Sequence, residues 1–379
     1  MKKKICILGS TGSIGVSTLE IISKDKKNFD VVLLSGNSNY KLLISQAKIF
    51  KPKYIYSNNL FLTKKIKHFC NNNKIEIINN LNLLKKIKFD ITVSAISGIA
   101  GLLPTLNIIK FSKKILIANK ESIICGWKFI IKEFKKYNCS FTPIDSEHFS
   151  IFNLIKNENK NLINKIYLTA SGGPFFNKRI NFKKVTATQA LKHPNWKMGK
   201  KISIDSANMM NKILEVIEAS LIFGFPIDRF KILIHPQSLV HAIVEYKNGL
   251  SPMLYHYNDM KIPIGNALYN NFYINKNLIN KFNLKQELFF YKAVSKKIPS
   301  MKILEQKKYL NISGFIAINV INEILVSKFL NKEILFSDIV HKLLVFLKSK
   351  TVKNYLKNNP IQHINDVFKA YNFYRSLLA

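Results

Sequence analysis

The sequence predicts an α/β protein whose N-terminal part folds as a doubly wound parallel sheet. In the first 140 or so residues, short β-branched runs alternate with helical patterns, which is typical of such a sheet. Beyond the run KYNCSFTPI, strand-like segments are separated by longer helical ones, so a central α+β domain should follow. From about residue 290 the periodicity is helical, which predicts a C-terminal helical domain.

The individual elements follow from hydrophobic periodicity and β-branched content. The predicted strands of the first domain are KICIL, FDVVLLSG, KYIYS, KIEII, FDITVSAIS, KILIAN and KYNCSFTPI. The helices between them include STLEIISK, NYKLLISQAKIF and GLLPTLNIIKF. In the second domain, strands are predicted at NKIYLTASGG, KISIDSA, KILIHPQS and AIVEYKNG, with a long helix at NMMNKILEVIEASLIF. Helices are predicted in the last domain at SGFIAINVINEILVSKFL and SDIVHKLLVFLKSK.

The net charge of +37 does not, in this chain, indicate nucleic-acid binding. Its three arginines are Arg179, Arg229 and Arg375, and the lysines are scattered over the whole length. Base and phosphate recognition favours arginine forks and clustered patches. We therefore expect no nucleic-acid partner, although so positive a field would favour an anionic small substrate.

The chain is expected to be cytoplasmic, without membrane contact. No apolar run is expected to reach the roughly 18 residues that cross a bilayer, because Glu, Pro, His or Gln interrupts the longest candidates. The segment MKKK leads directly into a predicted strand, so no signal peptide is expected. The four cysteines, Cys6, Cys70, Cys125 and Cys139, form no CxxC pair, which indicates reduced thiols.

Three glycines follow the first strand and open the first helix. Gly9, Gly12 and Gly15 form a GxxGxxG pattern, which lets the backbone turn tightly and approach a pyrophosphate at a helix N-terminus. The spacing differs from GxGxxG, so a plain glycine-rich turn is the alternative. After a strand and before a helix, the pattern predicts a Rossmann-like dinucleotide-binding domain.

The end of the second strand indicates which dinucleotide binds. NAD enzymes usually place an Asp or Glu there to hold the ribose 2′-hydroxyl. Here Asn37, Ser38 and Asn39 follow the strand, and these neutral donors tolerate a 2′-phosphate that a carboxylate would repel. We therefore expect NADPH.

Two pairs of acids predict a site for a hard divalent cation. Asp145 and Glu147 lie at i and i+2, and they would share a face if the strand continued through them. Glu215 and Glu218 lie on one side of a predicted helix, and Glu215 stands among apolar residues, where an unpaired carboxylate is costly. Carboxylates without interleaved cysteines favour Mg²⁺ or Mn²⁺ over zinc.

Both pairs also have a simpler interpretation. PIDSEH could be a capped turn before the helix HFSIFNLI, and the second pair could decorate a solvated helix face. We expect Glu215 to bind the metal and Glu218 to support it or to be structural.

Several polar groups suit a phosphorylated, hydroxylated ligand. Ser171-Gly172-Gly173-Pro174 ends a predicted strand as a candidate anion nest, and Asp205-Ser206-Ala207 ends another. Asn211 and Lys212 begin the helix that carries Glu215 and add amide and ammonium donors. Each group alone would be ordinary loop chemistry, but together they predict a phosphate site.

Residues 192–199, KHPNWKMG, predict a mobile lid over a ligand. The segment is bounded by residues that interrupt helices and contains Trp196, one of two tryptophans. A tryptophan that anchors an ordinary loop to the core is the alternative.

Taken together, these segments resemble the 1-deoxy-D-xylulose 5-phosphate reductoisomerase family. The likeness is carried by LGSTGSIG, SAISGIAGLLPT, ANKES, PIDSEH, TASGGPF, KHPNWKMGKKISIDSANMMNK, LEVIEA and IHPQSLVH. The last 110 residues match more loosely, mainly through DMKIPI and INVINE. With this resemblance, the expected domains are an NADPH-binding Rossmann-like domain (1–145), a central α+β catalytic domain (146–263, with the flap at 192–199), a linker (264–292) and a C-terminal helical domain (293–379).

The resemblance also implies roles for individual residues. The expected metal ligands are Asp145, Glu147 and Glu215, which form the catalytic set with Lys212. Substrate contacts are expected from Ser146, Glu147, Ser171, His193, Trp196, Met198, Ser206, Asn211, Lys212 and Glu215. Of these, Ser171, Ser206, Asn211 and Lys212 match the phosphate site. Cofactor contacts are expected from Thr11, Gly12, Ser13, Ile14, Ser38, Asn39, Asn119, Lys120, Glu121 and Gly199.

The implied reaction is a metal-dependent rearrangement of 1-deoxy-D-xylulose 5-phosphate and its NADPH-dependent reduction to 2-C-methyl-D-erythritol 4-phosphate, in isoprenoid precursor biosynthesis. The metal would act as Lewis acid and template, and the flap would exclude water. A homodimer is usual for the family. The rival interpretations are a metal-independent NAD(P)-dependent dehydrogenase of a small aldehyde or hydroxy acid and, from charge alone, a nucleic-acid-binding protein.

Three positions depart from the family's pattern. Ile213 stands where many relatives have glycine. Asn37-Ser38-Asn39 carries no cation beside the expected 2′-phosphate. Tyr269-Asn270 stands where Trp-Pro is usual, a departure that concerns the linker and the dimer contacts.

Overall fold

The computed structural model of the chain describes residues 1–84, 87–196, 198–274 and 286–378. The strands are β1 (Lys3–Leu8), β2 (Phe29–Ser35), β3 (Tyr54–Tyr56), β4 (Glu76–Ile78), β5 (Phe89–Ser94), β6 (Ser112–Ile117), β7 (Ser140–Pro143), β8 (Ile163–Ala170), β9 (Phe230–Ile234), β10 (Val240–Tyr246), β11 (Met253–Tyr255) and β12 (Tyr291–Lys292). The first ten helices are α1 (Ser13–Ser23), α2 (Tyr40–Phe50), α3 (Leu60–Asn72), α4 (Leu102–Ile109), α5 (Lys120–Lys136), α6 (Ser146–Ile155), α7 (Ala187–Ala190), α8 (Lys200–Ala207), α9 (Met210–Phe223) and α10 (Lys261–Tyr269). The last five are α11 (Lys302–Glu305), α12 (Ile312–Leu330), α13 (Phe336–Lys348), α14 (Lys350–Asn358) and α15 (Ile364–Ser376).

Within the described residues, the chain divides into two compact units. The first comprises Met1–Ser122, Trp127–Phe149 and Asp259–Phe282, and the second comprises Ile123–Gly126, Ser150–Asn258 and Asn283–Ala379. Most of the expected catalytic domain and the expected helical domain therefore lie in one unit. The expected linker, 264–292, begins inside α10 of the first unit, and its residues 275–285 lie outside the described part of the chain.

The first unit is built on a seven-stranded sheet in the order β4-β3-β2-β1-β5-β6-β7. Every pairing in it is parallel, which confirms the predicted doubly wound sheet. The strand order reverses at β1, which has β2 on one side and β5 on the other. In open α/β sheets, ligands bind beyond the carboxyl ends of the strands at such a point. The loops that follow β1 and β5 are therefore where a cofactor is expected.

The second unit contains a five-stranded mixed sheet in the order β11-β10-β8-β9-β12. Its central pair, β8 and β9, is parallel, and the other pairings are antiparallel. The chain between β8 and β9 forms α7, α8 and α9, and α9 packs against both strands. This arrangement confirms the α+β character predicted for the central region.

The predicted strand KISIDSA is wrong, because these residues form helix α8. Ile202 and Ile204 alternate in sequence like the buried positions of a strand, but Ile202 is 39% exposed and Ile204 is fully buried. Residues two apart lie on different sides of a helix, whereas in a strand they share a face. The segment is too short for its alternation to distinguish the two structures.

Helix α12 corrects the expectation that no apolar segment is long enough to cross a bilayer. It has 19 residues, and its most apolar window has a mean hydropathy of 1.4. Of that window, 67% is buried inside the protein, and the helix packs against α8, α13 and α15. These contacts are those of a core helix.

Tyr269 and Asn270 close α10 with contacts inside the first unit. The Tyr269 ring packs edge-to-face on Phe29 with centroids 5.1 Å apart, and its hydroxyl donates to Asp25 Oδ2 at 2.7 Å. Asn270 ends the helix at a φ of +53°, which asparagine tolerates and proline cannot adopt. Lys114 Nζ donates to Asn270 Oδ1 at 2.8 Å. The departure from Trp-Pro is therefore matched by contacts of its own.

The hydrogen bond between Tyr269 and Asp25 shifts the pKa of both side chains. Burial, together with the Asp25 carboxylate, raises the pKa of Tyr269, so the phenol remains a donor at neutral pH. Although desolvation opposes the change, the hydrogen bonds from Tyr269 and Asn28 and the charge of Lys27 lower the pKa of Asp25 below its ordinary 3.8. A carboxyl whose pKa is lowered by folding contributes stability above its ordinary pKa and loses it as the pH falls.

We expect Tyr269→Phe to lower the free energy of unfolding by about 1 kcal/mol at pH 7, the usual net contribution of one hydrogen bond. The difference from wild type should shrink as the pH falls below 4, because Asp25 becomes protonated in both proteins. Calorimetric melting at pH 7 and at pH 3 would measure both effects. Tyr273→Phe removes a hydroxyl from the adjacent ring, 5.6 Å away, and should lack the pH dependence. A loss for Tyr269→Phe that does not change with pH would contradict the assignment.

Candidate active site

The glycine-rich loop after β1 is tightly packed on one side and open on the other. Gly9 has a φ of +88°, and a Cβ there would lie 2.5 Å from the Ala95 carbonyl oxygen, so only glycine fits. A Cβ at Gly15 would collide with the Gly9 carbonyl oxygen. At Gly12, which caps α1, the nearest atom would be 3.5 Å away. Thr11, Gly12, Ser13 and Ile14 thus form a cradle at a helix N-terminus, where an anionic group is stabilised.

Gln46 fixes this loop from helix α2. Ser10 Oγ donates to Gln46 Oε1 at 2.8 Å, and Gln46 Nε2 donates to the Ser10 carbonyl at 2.8 Å. Ser35 Oγ accepts from the Gly9 amide at 2.7 Å, which joins the loop to the end of β2. Because Ser10, Ser35 and Gln46 are all buried, these bonds hold the cradle in one conformation.

The end of β2 is neutral and open to solvent. Asn37, Ser38 and Asn39 are exposed, and Asn39 Oδ1 accepts from the Leu42 amide at 3.1 Å as the N-cap of α2. The predicted 2′-phosphate contacts, Ser38 and Asn39, therefore lie at the N-terminus of α2. The residues between β2 and α2 include no carboxylate. This suits a phosphate better than a bare hydroxyl.

Asn119, Lys120 and Glu121 connect the loop after β5 to the start of α5. Asn119 caps α5 through the Ser122 amide and donates to the Gly98 carbonyl at 3.0 Å. Glu121 Oε2 accepts from the Gly98 amide at 3.3 Å, and Lys120 Nζ lies 3.9 Å from Asp145 Oδ2. Asn119 and Glu121 thus shape the loop, while Lys120 brings a positive charge to Asp145.

Asp145 and Glu147 lie at a strand-to-helix junction. Strand β7 ends at Pro143 and α6 begins at Ser146, so the strand does not continue and cannot be the reason for their proximity. Asp145 Oδ1 instead accepts from the Glu147 amide at 3.2 Å, and Ser146 Oγ donates to Glu147 Oε2 at 2.5 Å. The N-terminus of α6 therefore orients these side chains. Asp145 has the geometry of a capped turn, which was the simpler interpretation of PIDSEH.

The first turns of α9 carry a buried charged cluster. Glu215, 2% exposed, lies with its Oε2 atom 2.5 Å from Lys212 Nζ, and its Oε1 atom accepts from the Asn211 amide. Asn211 and Lys212 lie four and three residues before Glu215, and at both spacings side chains are neighbours on a helix surface, so each of them reaches Glu215. Glu218 is buried one turn further on. An ammonium, a carboxylate and a side-chain amide therefore meet at the start of α9.

Ser171 follows strand β8, and Ser206 lies in the last turn of helix α8, both in the second unit. A Cβ at Gly173, whose φ is +70°, would lie 2.8 Å from the Ser206 carbonyl oxygen, so the two turns touch and only glycine fits between them. Ser171 Oγ accepts from the Gly173 amide at 3.1 Å. The predicted phosphate contacts therefore come from neighbouring backbone turns.

The flap begins against the Ser171 turn. His193 Nδ1 accepts from the amides of Asn195 and Trp196 at 3.1 and 3.0 Å, so in the neutral ring the proton lies on Nε2, which donates to Ser171 Oγ at 3.1 Å. Asn195 Nδ2 donates to the Pro236 carbonyl at 2.7 Å and to Ser238 Oγ at 2.9 Å. Trp196 and Met198 are partly exposed, and Gly199 caps α8; Lys197 lies outside the described residues.

Two residues that hold these segments in place were not predicted from the sequence. Gln46 and Asn195 are not among the predicted contacts, but each fixes a segment that carries some of them. For Gln46, the indication in the sequence was a polar residue beside apolar neighbours in an amphipathic helix. For Asn195, it was an asparagine that follows His-Pro. Neither pattern identifies the distant partner of the amide.

Family models match three parts of the chain. Residues 5–126 match "1-deoxy-D-xylulose 5-phosphate reductoisomerase", and residues 141–223 and 256–377 match two C-terminal domains of the same family. The chain is 46% identical to a 1-deoxy-D-xylulose 5-phosphate reductoisomerase of Pelagibacter ubique, over 96% of this chain and 97% of the relative. A reductoisomerase of Endomicrobium trichonymphae is 43% identical over 89% of both chains.

Solved structures resemble the chain over its whole length. The reductoisomerase of Zymomonas mobilis in complex with NADPH is 32% identical, with a TM-score of 0.88 over 100% of this chain and 98% of that one. A reductoisomerase in complex with NADPH, fosmidomycin and magnesium is 33% identical, with a TM-score of 0.89 over 99% and 97%. This chain belongs to the 1-deoxy-D-xylulose 5-phosphate reductoisomerase family.

Proposed function

We propose that the protein is an NADP-dependent oxidoreductase that rearranges 1-deoxy-D-xylulose 5-phosphate in a metal-dependent reaction and reduces the product with NADPH to 2-C-methyl-D-erythritol 4-phosphate. The reaction belongs to isoprenoid precursor biosynthesis. Family membership supports this activity, as do the NADPH and magnesium complexes of related enzymes. The observation that carries the proposal is the buried pair of Lys212 and Glu215 with its partner Asn211, which a metal-independent dehydrogenase would not require.

The glycine cradle fits NADPH. The opening at Gly12 is one that a side chain would fill, and it faces the N-terminus of α1. We propose that Thr11, Gly12, Ser13 and Ile14 bind the pyrophosphate, and that Ser38 and Asn39 bind the 2′-phosphate. We propose that the remaining cofactor contacts come from Asn119, Lys120, Glu121 and Gly199.

The available donors fit a hard divalent cation. Asp145 and Glu147 present two carboxylates at one helix N-terminus, and Glu215 presents a third that is shielded from water. Oxygen ligands of this kind favour Mg²⁺ or Mn²⁺. We propose these three residues as the metal ligands, although each is also held by a neighbouring donor in the chain itself.

The protein's own groups would orient and shield the substrate. Bound NADPH supplies a hydride, and the bound metal supplies a Lewis acid for the substrate's oxygens. We propose that Ser146 and Lys212 donate to the substrate's hydroxyl and carbonyl region, and that Asn211 orients Glu215. The phosphate would be bound by Ser171, Ser206, Asn211 and Lys212. Water would be excluded by the flap residues His193, Trp196 and Met198.

We also propose a cytoplasmic homodimer. The four buried free cysteines suit a reducing compartment. In the second unit, the edge strand β11 and the turn before it expose Met253 and Leu250, at 47% and 64%, and a second copy would cover such apolar side chains. Light scattering should give about twice the mass of one chain, and a monomer at micromolar concentration would contradict this assembly.

The activity should depend on a divalent metal. With 1-deoxy-D-xylulose 5-phosphate present, we expect NADPH loss to stop in EDTA and to return with Mg²⁺ or Mn²⁺, because the metal supplies the Lewis acid. Following NADPH absorbance with and without metal measures this, and the same assay with NADH tests the cofactor preference. Turnover in EDTA would favour the metal-independent dehydrogenase instead.

Glu215→Gln should lower metal-dependent turnover by about 100-fold or more, because an amide is a poor ligand where even supporting residues change metal affinity 10- to 100-fold. NADPH affinity, followed by cofactor fluorescence, should remain normal. Glu218→Gln is the comparison variant, since it neutralises an equally buried glutamate on the same helix, and it should lower metal-dependent turnover less than Glu215→Gln does. Near-normal turnover of Glu215→Gln would remove Glu215 from the ligand set.

A further inference from the structure

Helix α8, which carries Ser206, is anchored by a buried carboxylate. Asp205 is 1% exposed, and its Oδ2 atom accepts from Lys201 Nζ at 3.0 Å. Its Oδ1 atom accepts from the side-chain amide of Asn322 at 2.8 Å. A buried carboxylate is tolerated only where charged or polar partners satisfy it, so these two bonds determine where Asp205 lies.

Asn322 is an unusual residue for its position. It is fully buried in the apolar helix α12, where leucine or isoleucine would cost no polar desolvation. Its amide reaches Asp205 across 117 residues of sequence, from the C-terminal helical region to α8. The bond therefore fixes α8 against a rigid core helix.

The turn after Asp205 is held from three further directions. The Ser206 carbonyl touches Gly173 and accepts from the Met209 amide at 3.2 Å. Ser300 Oγ donates to the Asn208 carbonyl at 2.9 Å. The next helix, α9, begins immediately afterwards with Asn211 and Lys212. A displacement of Asp205 would therefore move Ser206 relative to the Ser171 turn.

We infer that Asp205 and Asn322 are positioning residues for the substrate's phosphate group, acting through Ser206. The inference rests on the proposed function, which assigns Ser206, Ser171, Asn211 and Lys212 to a phosphate monoester. Neither Asp205 nor Asn322 touches the phosphate itself. Their contribution is to keep the Ser206 hydroxyl and the start of α9 in the geometry that a tetrahedral anion needs.

The test compares Asn322→Leu and Asp205→Asn with wild type. Each should lower kcat/KM for 1-deoxy-D-xylulose 5-phosphate about tenfold, mainly through KM, which corresponds to losing one hydrogen bond to a charged group. The dissociation constant of inorganic phosphate, measured by titration calorimetry, should rise by a similar factor. NADPH affinity should stay unchanged, a pattern that general destabilisation would not produce. Asp205→Asn retains the shape of the side chain and provides the test if Asn322→Leu does not fold.

Asn319→Leu is the matched control. Asn319 is equally buried on the same helix, and its amide lies 3.9 Å from Cys125 Sγ instead of a carboxylate. Its phosphate affinity and KM should stay within about twofold of wild type, as expected for a weak contact to sulfur. Unchanged phosphate affinity in folded Asn322→Leu or Asp205→Asn, or an equal loss in Asn319→Leu, would overturn the inference. Absence of turnover in wild type would instead refute the proposed function, and phosphate affinity would then decide the inference alone.

Discussion

The buried pair formed by Lys212 and Glu215 is the interaction on which the rest of the second unit depends. Their charged atoms lie 2.5 Å apart with almost no exposure to water, and Asn211 satisfies the other carboxylate oxygen. Removing one partner of such a pair leaves an uncompensated buried charge, which is strongly destabilising. The first turns of α9 must therefore hold these three side chains together. Under the proposed function, the same constraint places the ammonium beside the substrate's phosphate and the carboxylate beside the metal.

The sequence was most informative where chemistry and backbone geometry coincide. Gly9 and Gly15 are glycines because neighbouring backbone would collide with any side chain, so their pattern predicted both the turn after β1 and the helix that follows. Alternating strands and helices predicted the parallel sheet, because short β-branched runs are separated by helical patterns. Glu215 could be recognised because a carboxylate among apolar residues demands a partner.

The sequence was least informative where a distant contact decides the outcome. Ile202 and Ile204 alternate like strand residues, but the segment is a helix that packs against α12 and bonds to its buried Asn322. Asp145 and Glu147 would have shared a face only if the strand continued, whereas the helix that starts at Ser146 determines their geometry. Local periodicity contains neither fact, since both depend on which elements pack together in the folded chain.

Anomalous diffraction from crystals of this protein grown with Mn²⁺ and NADPH would test the central claim most directly. The account predicts one strong manganese peak about 2.1 Å from carboxylate oxygens of Asp145, Glu147 and Glu215. A peak bound by other residues, or none in crystals of protein that turns over substrate with Mn²⁺, would contradict it.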